Sequence, residues 1–298
     1  MRWPPAWAGC GARRPPRSRC EPAVGAHREP SERGERGEHL VSAALCIEEE
    51  GQGPRVSMLH GWGMNLRVFD PLRARLARCR SVRLVDLPGH GASPWPGQWS
   101  EATQQQALAA ALLPAETLLG WSLGGQIALS IALALQGTPL APRRLVLVAT
   151  TPRFLAAEDW SAGLTRATLQ QFAQSLEQDP AGTIADFLGL QVRGSQQAAD
   201  TELQLRAALE AHGGAQLPAL RAELTLLAMT DLRAQLAAVP LPTLVIGGRN
   251  DRVTPPAALE ALAQGLPQAR LLLLPRAGHA PFLSHPDAVA QAVMEFTA

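Results

Sequence analysis

Gly120-Trp121-Ser122-Leu123-Gly124 sets a serine between glycines two positions to either side. The apolar run Thr117-Leu118-Leu119 precedes it and a helix-like stretch, 126–135, follows. At a strand-to-helix junction this spacing has a chemical use. The turn is tight enough to strain the serine at its apex, and only glycines let strand and helix approach so closely. Such a turn lifts Oγ clear of the sheet. It also leaves the N–H of Leu123 at a helix start, where it can stabilise an oxyanion. Ser122 is therefore the candidate nucleophile.

A serine hydroxyl needs a base to take its proton, and the base needs an acid to orient it. In doubly wound sheets such groups lie just past the carboxyl ends of strands. Asp251 lies a few residues beyond the apolar run 243–246, in Gly247-Gly248-Arg249-Asn250-Asp251. His279 follows the run 270–274 in the same way, in Ala277-Gly278-His279-Ala280-Pro281. The chain order serine, acid, histidine is one of the known orders of a catalytic triad on such a sheet. A second oxyanion donor is expected from Leu59-His60-Gly61-Trp62-Gly63, where the Trp62 N–H pairs with that of Leu123.

The other titratable residues read more plainly. Asp231 is a second-choice acid, but no strand end precedes it, and it reads as a helix cap. His212 and His285 sit at helix ends. Asp86 comes too early in the chain for the triad, so with His90 it is expected to organise a turn beside the site. His60 reads as a buried prop of its loop. No spacing suggests a metal, and no phosphate-cradling loop follows a strand, so no cofactor is expected.

Buried strands are expected at 82–85, 116–119, 144–149, 243–246 and 270–274, with two earlier ones at 41–47 and 55–59. Helices are expected at 66–77, 101–113, 126–135 and 286–296. Between 165 and 236 only amphipathic helical patterns occur. The alternation of strands and helices predicts an α/β fold with a mostly parallel, doubly wound sheet covered on both faces. The helical block reads as an inserted cap. Residues 39–152 and 237–298 then form the sheet domain and 153–236 the cap. Residues 1–38, rich in Arg, Pro, Gly and Glu, bury too little to offset their ordering entropy and are expected to be disordered.

With 298 residues and 46% hydrophobic content, the chain can bury a substantial core. A formal net charge of +1 gives no reason to expect nucleic acid or an anionic membrane as partner. No stretch is apolar enough to span a bilayer, and no secretory signal is evident, so a cytoplasmic protein is expected. Cys10, Cys20, Cys46 and Cys79 show no C-x-x-C pairing, and reduced thiols are the default.

The residues between 56 and 297 resemble the α/β-hydrolase superfamily and, more narrowly, the pimeloyl-[acyl-carrier protein] methyl ester esterase family of biotin synthesis. The resemblance rests on Leu59-His60-Gly61-Trp62-Gly63, Leu84-Val85-Asp86-Leu87-Pro88-Gly89, Gly120-Trp121-Ser122-Leu123-Gly124-Gly125 and Gly278-His279-Ala280-Pro281-Phe282-Leu283-Ser284-His285-Pro286. It implies a serine carboxylesterase acting on an ester carried by an acyl-carrier protein, and a monomer is expected. It also implies a substrate pocket at Trp62, Ser122, Leu123 and His279. Phe187-Leu188-Gly189-Leu190-Gln191 resembles the family stretch that lines the acyl chain.

One departure concerns docking. The family presents cap arginines to the acidic carrier, and those positions fall here on Gly182, Asp186, Ala199 and Leu203, with only Arg193 and Arg206 nearby. Weak charge pairing with the carrier is the resulting expectation. A C–C bond hydrolase or enol-lactonase would use the same residues, and a ligand receptor retaining them is a further reading, which the intact triad disfavours.

Overall fold

The structure, a computed structural model, describes residues 17–18, 45–97, 101–112 and 116–298. Its strands are β1 (Arg17–Ser18), β2 (Ile47–Glu50), β3 (Arg55–Leu59), β4 (Ser81–Val85), β5 (Thr117–Trp121), β6 (Arg144–Val148), β7 (Thr243–Gly248) and β8 (Ala269–Leu274). They form one sheet in the order β1-β2-β4-β3-β5-β6-β7-β8. Every neighbouring pair from β4 to β8 is parallel, and β1 and β2 join antiparallel at one edge. This is the α/β-hydrolase arrangement that the sequence predicts.

Helices α1 (Asp70–Leu76), α2 (Glu101–Leu112) and α3 (Leu123–Ala134) connect the first parallel strands. Between β6 and β7 the chain inserts α4 (Arg166–Gln178), α5 (Pro180–Val192), α6 (Ala198–His212) and α7 (Leu217–Met229). Next come α8 (Pro256–Gly265), α9 (Pro281–Ser284) and α10 (Pro286–Phe296). None of the described helices is long and apolar enough to cross a membrane.

The central strands are buried on both faces, as β6 shows. Leu145 and Leu147 belong to one apolar cluster, and Val146 and Val148 to the other. Successive side chains of a strand point to opposite faces, so a near-continuous apolar run is what a doubly covered strand requires. Each such side chain contributes about 1.5–3 kcal/mol on full burial.

Three expectations change. The first strand is Ile47–Glu50, three of whose four residues are glutamates. Apolar periodicity overlooks it because its charges are neutralised in place. Glu48 is buried between Arg67 and Arg73, each at 2.6 Å, and Glu49 meets Arg83 at 2.6 Å. The expected helix at 66–77 divides into a 3₁₀ turn, Leu66–Phe69, and α1, where Pro71 sits in the first turn. Proline is tolerated there and not deeper in a helix. The described cysteines, Cys46 and Cys79, are each disulfide-bonded rather than reduced, which no local spacing reveals. Of the segment 1–38 the structure describes only Arg17–Ser18, paired with Glu49 and Glu48. The rest of that expectation, and residues 41–44 of the first strand, lie outside the described residues.

Candidate active site

Ser122 occupies the turn between β5 and α3 with φ 56° and ψ −119°, a backbone conformation that L-residues rarely adopt. The flanking glycines make it possible. A Cβ on Gly120 would lie 2.2 Å from the Gly124 carbonyl oxygen, and one on Gly124 would lie 2.4 Å from that of Leu59. The Ser122 N–H donates to Val148 O at 2.9 Å, and its carbonyl accepts from Thr150 Oγ1 at 2.7 Å. Its side chain makes no capping bond to α3, which leaves Oγ for another partner.

That partner is His279. Ser122 Oγ stands 2.9 Å from His279 Nε2, and His279 Nδ1 stands 2.8 Å from Asp251 Oδ2. All three residues are buried. Asp251 is held by its own loop: Oδ1 accepts from the N–H groups of Val253 and Thr254, and Oδ2 from Thr254 Oγ1 at 2.6 Å. The imidazole is set by main-chain bonds on both sides. The backbone N–H of His279 donates to Gln191 O at 2.8 Å, and the backbone carbonyl of His279 accepts from the Trp121 indole at 2.8 Å. The tryptophan before the serine thus anchors the histidine, a role that spacing alone does not reveal. Thr254 is likewise missed by the sequence reading, although its place three residues after Asp251 is the usual signal of an Asx-type bond.

The loop after β3 closes the other side. A Cβ on Gly61 would lie 3.1 Å from Ser122 Cβ, so this loop abuts the nucleophile. His60 Nε2 accepts from the Leu87 N–H at 2.9 Å, which leaves the ring proton on Nδ1, 2.9 Å from the Gly61 carbonyl. That carbonyl and the Trp62 N–H belong to one planar trans peptide, so fixing the carbonyl fixes the direction of the N–H. Burial, with His90 nearby, lowers the His60 pKa to about 3, so the ring is neutral at physiological pH. Leu123 opens α3, and its N–H has no carbonyl partner within the helix.

The expected acyl stretch divides between two environments. Trp62 packs edge-on against Phe187, with centroids 5.3 Å apart, and against Phe172 of α4 at 5.2 Å. Leu190 borders the same apolar cluster, whereas Leu188 is packed in the other cluster, which contains Trp121 and Ala280. A Cβ on Gly189 would meet nothing within 4 Å. Gln191 is buried with no partner for either amide atom among the described residues. Phe172, which packs against Trp62 and Phe187, is a contact that the sequence reading omits. Its apolar neighbours Leu169 and Leu176, at helical spacing, are the available signal.

The remaining candidates are structural. Asp86 accepts from the N–H groups of Leu66 and Ala92 and meets His212 Nε2 at 2.8 Å, which ties α6 to the loop after β4. The Arg233 guanidinium, with help from Arg153, holds Asp231 down at about 2. His285 stands at the N-cap of α10. Cys46, Asp86 and His212 lie close enough to share a metal ion. However, Cys46 is disulfide-bonded and the carboxylate is already occupied by two backbone donors.

Comparison with known proteins places the chain in a family. Residues 58–292 match the alpha/beta hydrolase family. A pimeloyl-[acyl-carrier protein] methyl ester esterase from Nitrosomonas europaea is 42% identical over 246 residues, covering 82% of this chain and 96% of the relative. One from Aeromonas hydrophila is 40% identical over 255 residues, covering 85% and 99%. Among solved structures, a hydrolase from Pseudomonas aeruginosa superposes with a TM-score of 0.69 at 29% identity, covering 86% and 96%. An esterase from Exiguobacterium antarcticum, at 22% identity, shares the fold with a TM-score of 0.75, covering 85% and 95%. The chain belongs to the alpha/beta hydrolase family and, within it, to the pimeloyl-[acyl-carrier protein] methyl ester esterases.

Proposed function

We propose that this chain hydrolyses the methyl ester of pimeloyl-[acyl-carrier protein], releasing methanol and the free carboxylate on the carrier. The observation that carries the reading is the buried chain Ser122 Oγ, His279 Nε2 and Nδ1, Asp251 Oδ2, with links of 2.9 and 2.8 Å. Ser122 attacks the ester carbonyl as His279 takes its proton. Asp251 orients the ring and stabilises the imidazolium without itself becoming protonated. The tetrahedral oxyanion is received by the N–H groups of Trp62 and Leu123. His279 returns the proton to the departing methoxide. Water, deprotonated by the same histidine, then splits the acyl-enzyme.

Trp62, Phe187 and Phe172 offer an apolar wall to the methylene chain, with Leu190 beside them, and the Gln191 main-chain carbonyl accepts from the His279 N–H. We assign the reaction to the cytoplasm on the sequence reading. The disulfides at Cys46 and Cys79 argue the other way, and thiol titration of the native protein decides between them. The function is tested by rescue of a biotin auxotroph that lacks its own esterase. Growth without biotin supports the assignment; a well-expressed chain that gives no growth contradicts it.

A further inference from the structure

The two arginines nearest the vacated cap positions differ in the fold. Arg206 donates from Nη2 and Nε to Glu202 Oε1, at 2.6 and 3.0 Å, one turn earlier on α6. Arg193, just after α5, is exposed and has no ion pair among the described residues. Its loop is stitched to the loops that follow β7 and β8. Gln196 N–H donates to Arg276 O at 2.9 Å, and Asn250 Nδ2 donates to Gly194 O at 2.6 Å. Asn250 N–H donates to Ala277 O at 3.0 Å, and Arg249 N–H to Leu274 O at 2.9 Å.

These bonds bring Arg193, Arg249, Arg252 and Arg276 to adjoining loops at the carboxyl edge of the sheet. All four are exposed, and none has an ion pair among the described residues. The one carboxylate within residues 193–197, 249–252 and 275–278 is Asp251, which is buried and engaged by His279, Val253 and Thr254. Arg276 also keeps a left-handed φ of 57°, a strain that persists only where the surroundings impose it. After burial, the charge of Arg276 is the second influence holding down the pKa of His285. In a chain of net charge +1, four unpaired guanidiniums on neighbouring loops are a local feature rather than a reflection of composition.

The rim borders the reacting groups. Arg249 and Arg252 flank Asp251, Arg276 is three residues from His279, and Arg193 is two residues past the Gln191 carbonyl that holds the His279 N–H. We propose that Arg193, Arg249, Arg252 and Arg276 form the docking surface for the acidic carrier protein that presents the ester. The inference rests on the carrier-bound substrate proposed above. It replaces the expectation of weak charge pairing with a displaced basic surface. Rim charges of this kind act mainly on encounter rate and salt dependence.

The test compares kcat/KM for carrier-bound pimeloyl methyl ester with kcat/KM for a free short-chain ester, which serves as reference reaction and as a check on folding. The pairs Arg193→Glu with Arg276→Glu, and Arg249→Glu with Arg252→Glu, should each lower the carrier-to-free ratio by about 10-fold or more and flatten its salt dependence. Arg206→Glu should leave the ratio within about twofold. If a reversal pair does not fold, the matching Arg→Gln pair, which keeps the side-chain bulk, should lower the ratio by about 3-fold. Unchanged ratios in both pairs, or an equal loss in Arg206→Glu, would overturn the docking surface while leaving the esterase assignment intact. A wild-type enzyme that turns over the free ester but not the carrier-bound one would overturn the carrier reading, and this surface with it.

Discussion

The indole N–H of Trp62 donates to the main-chain carbonyl of Leu220 at 3.1 Å, so a helix of the insertion holds the residue proposed to supply half of the oxyanion hole. Trp62→Phe removes that donor and keeps an aromatic ring beside Phe172 and Phe187. It should lower kcat on the methyl ester by about 5–10-fold, the worth of one neutral hydrogen bond, and change KM little. Phe172→Ala should do the reverse, raising KM for pimeloyl esters more than for acetyl esters. A chain-length series of kcat and KM for both variants checks the division of roles.

Asp251 and Asp231 differ in what they touch. Asp251→Asn should lower kcat by roughly 10⁴ with little change in KM, because the amide no longer enforces the productive imidazole tautomer. Asp231, paired with Arg153 and Arg233, should tolerate Asn with kcat close to wild type. The two variants measured side by side distinguish the acid from the structural carboxylate.

His60 and His90, with ring centroids 5.2 Å apart, should shape the pH dependence of stability in opposite senses. The folded-state pKa of His60, about 3, lies below its ordinary 6.5, so the unfolded chain protonates first and stability falls as pH drops from 6.5 toward 3. Burial pulls His90 down most, but the Glu223 carboxylate 3.2 Å away, the Pro88 carbonyl and Asp86 together outweigh it, and the net shift is upward. Glu223 is itself raised, chiefly by burial. The folded protein keeps these protons longer than the unfolded chain, so this contribution is complete at low pH and is lost as pH rises through the raised His90 value. Urea denaturation from pH 4.5 to 9 should show both declines. His60→Asn should flatten the acid one and His90→Asn the alkaline one.

Gly124 and Gly189 predict opposite responses to a methyl group. Gly124→Ala would drive Cβ to 2.4 Å from Leu59 O and 2.5 Å from His60 O, and should yield no folded, active enzyme. Gly189 lies within α5 with open space beside it. Gly189→Ala should therefore stabilise the protein by about 0.5–1 kcal/mol through helix propensity. Thermal denaturation of both variants checks the contrast.

The strand-end positions of Ser122, Asp251 and His279 were legible because each follows an apolar run that only a buried strand explains, and strands of a parallel sheet deliver their carboxyl ends to one edge. The Ile47–Glu50 strand was not legible, because its charges are matched by Arg67, Arg73 and Arg83 from elsewhere in the chain. Long-range anchors stayed hidden for the same reason. The Trp121 indole reaches His279 O across 158 positions, and no local pattern encodes that distance. The arginine rim combines three segments that are unremarkable one by one.

The central claim is that Ser122, activated by His279, cleaves a methyl ester carried on an acyl-carrier protein. Its most direct test is methanol release from pimeloyl-[acyl-carrier protein] methyl ester by the wild-type chain and by Ser122→Ala, with folding checked by circular dichroism. The account predicts steady release by the wild type and a loss on the order of 10⁶ in kcat for the folded variant. A folded Ser122→Ala that keeps more than roughly one per cent of the wild-type rate, or a wild type that releases no methanol, would contradict it.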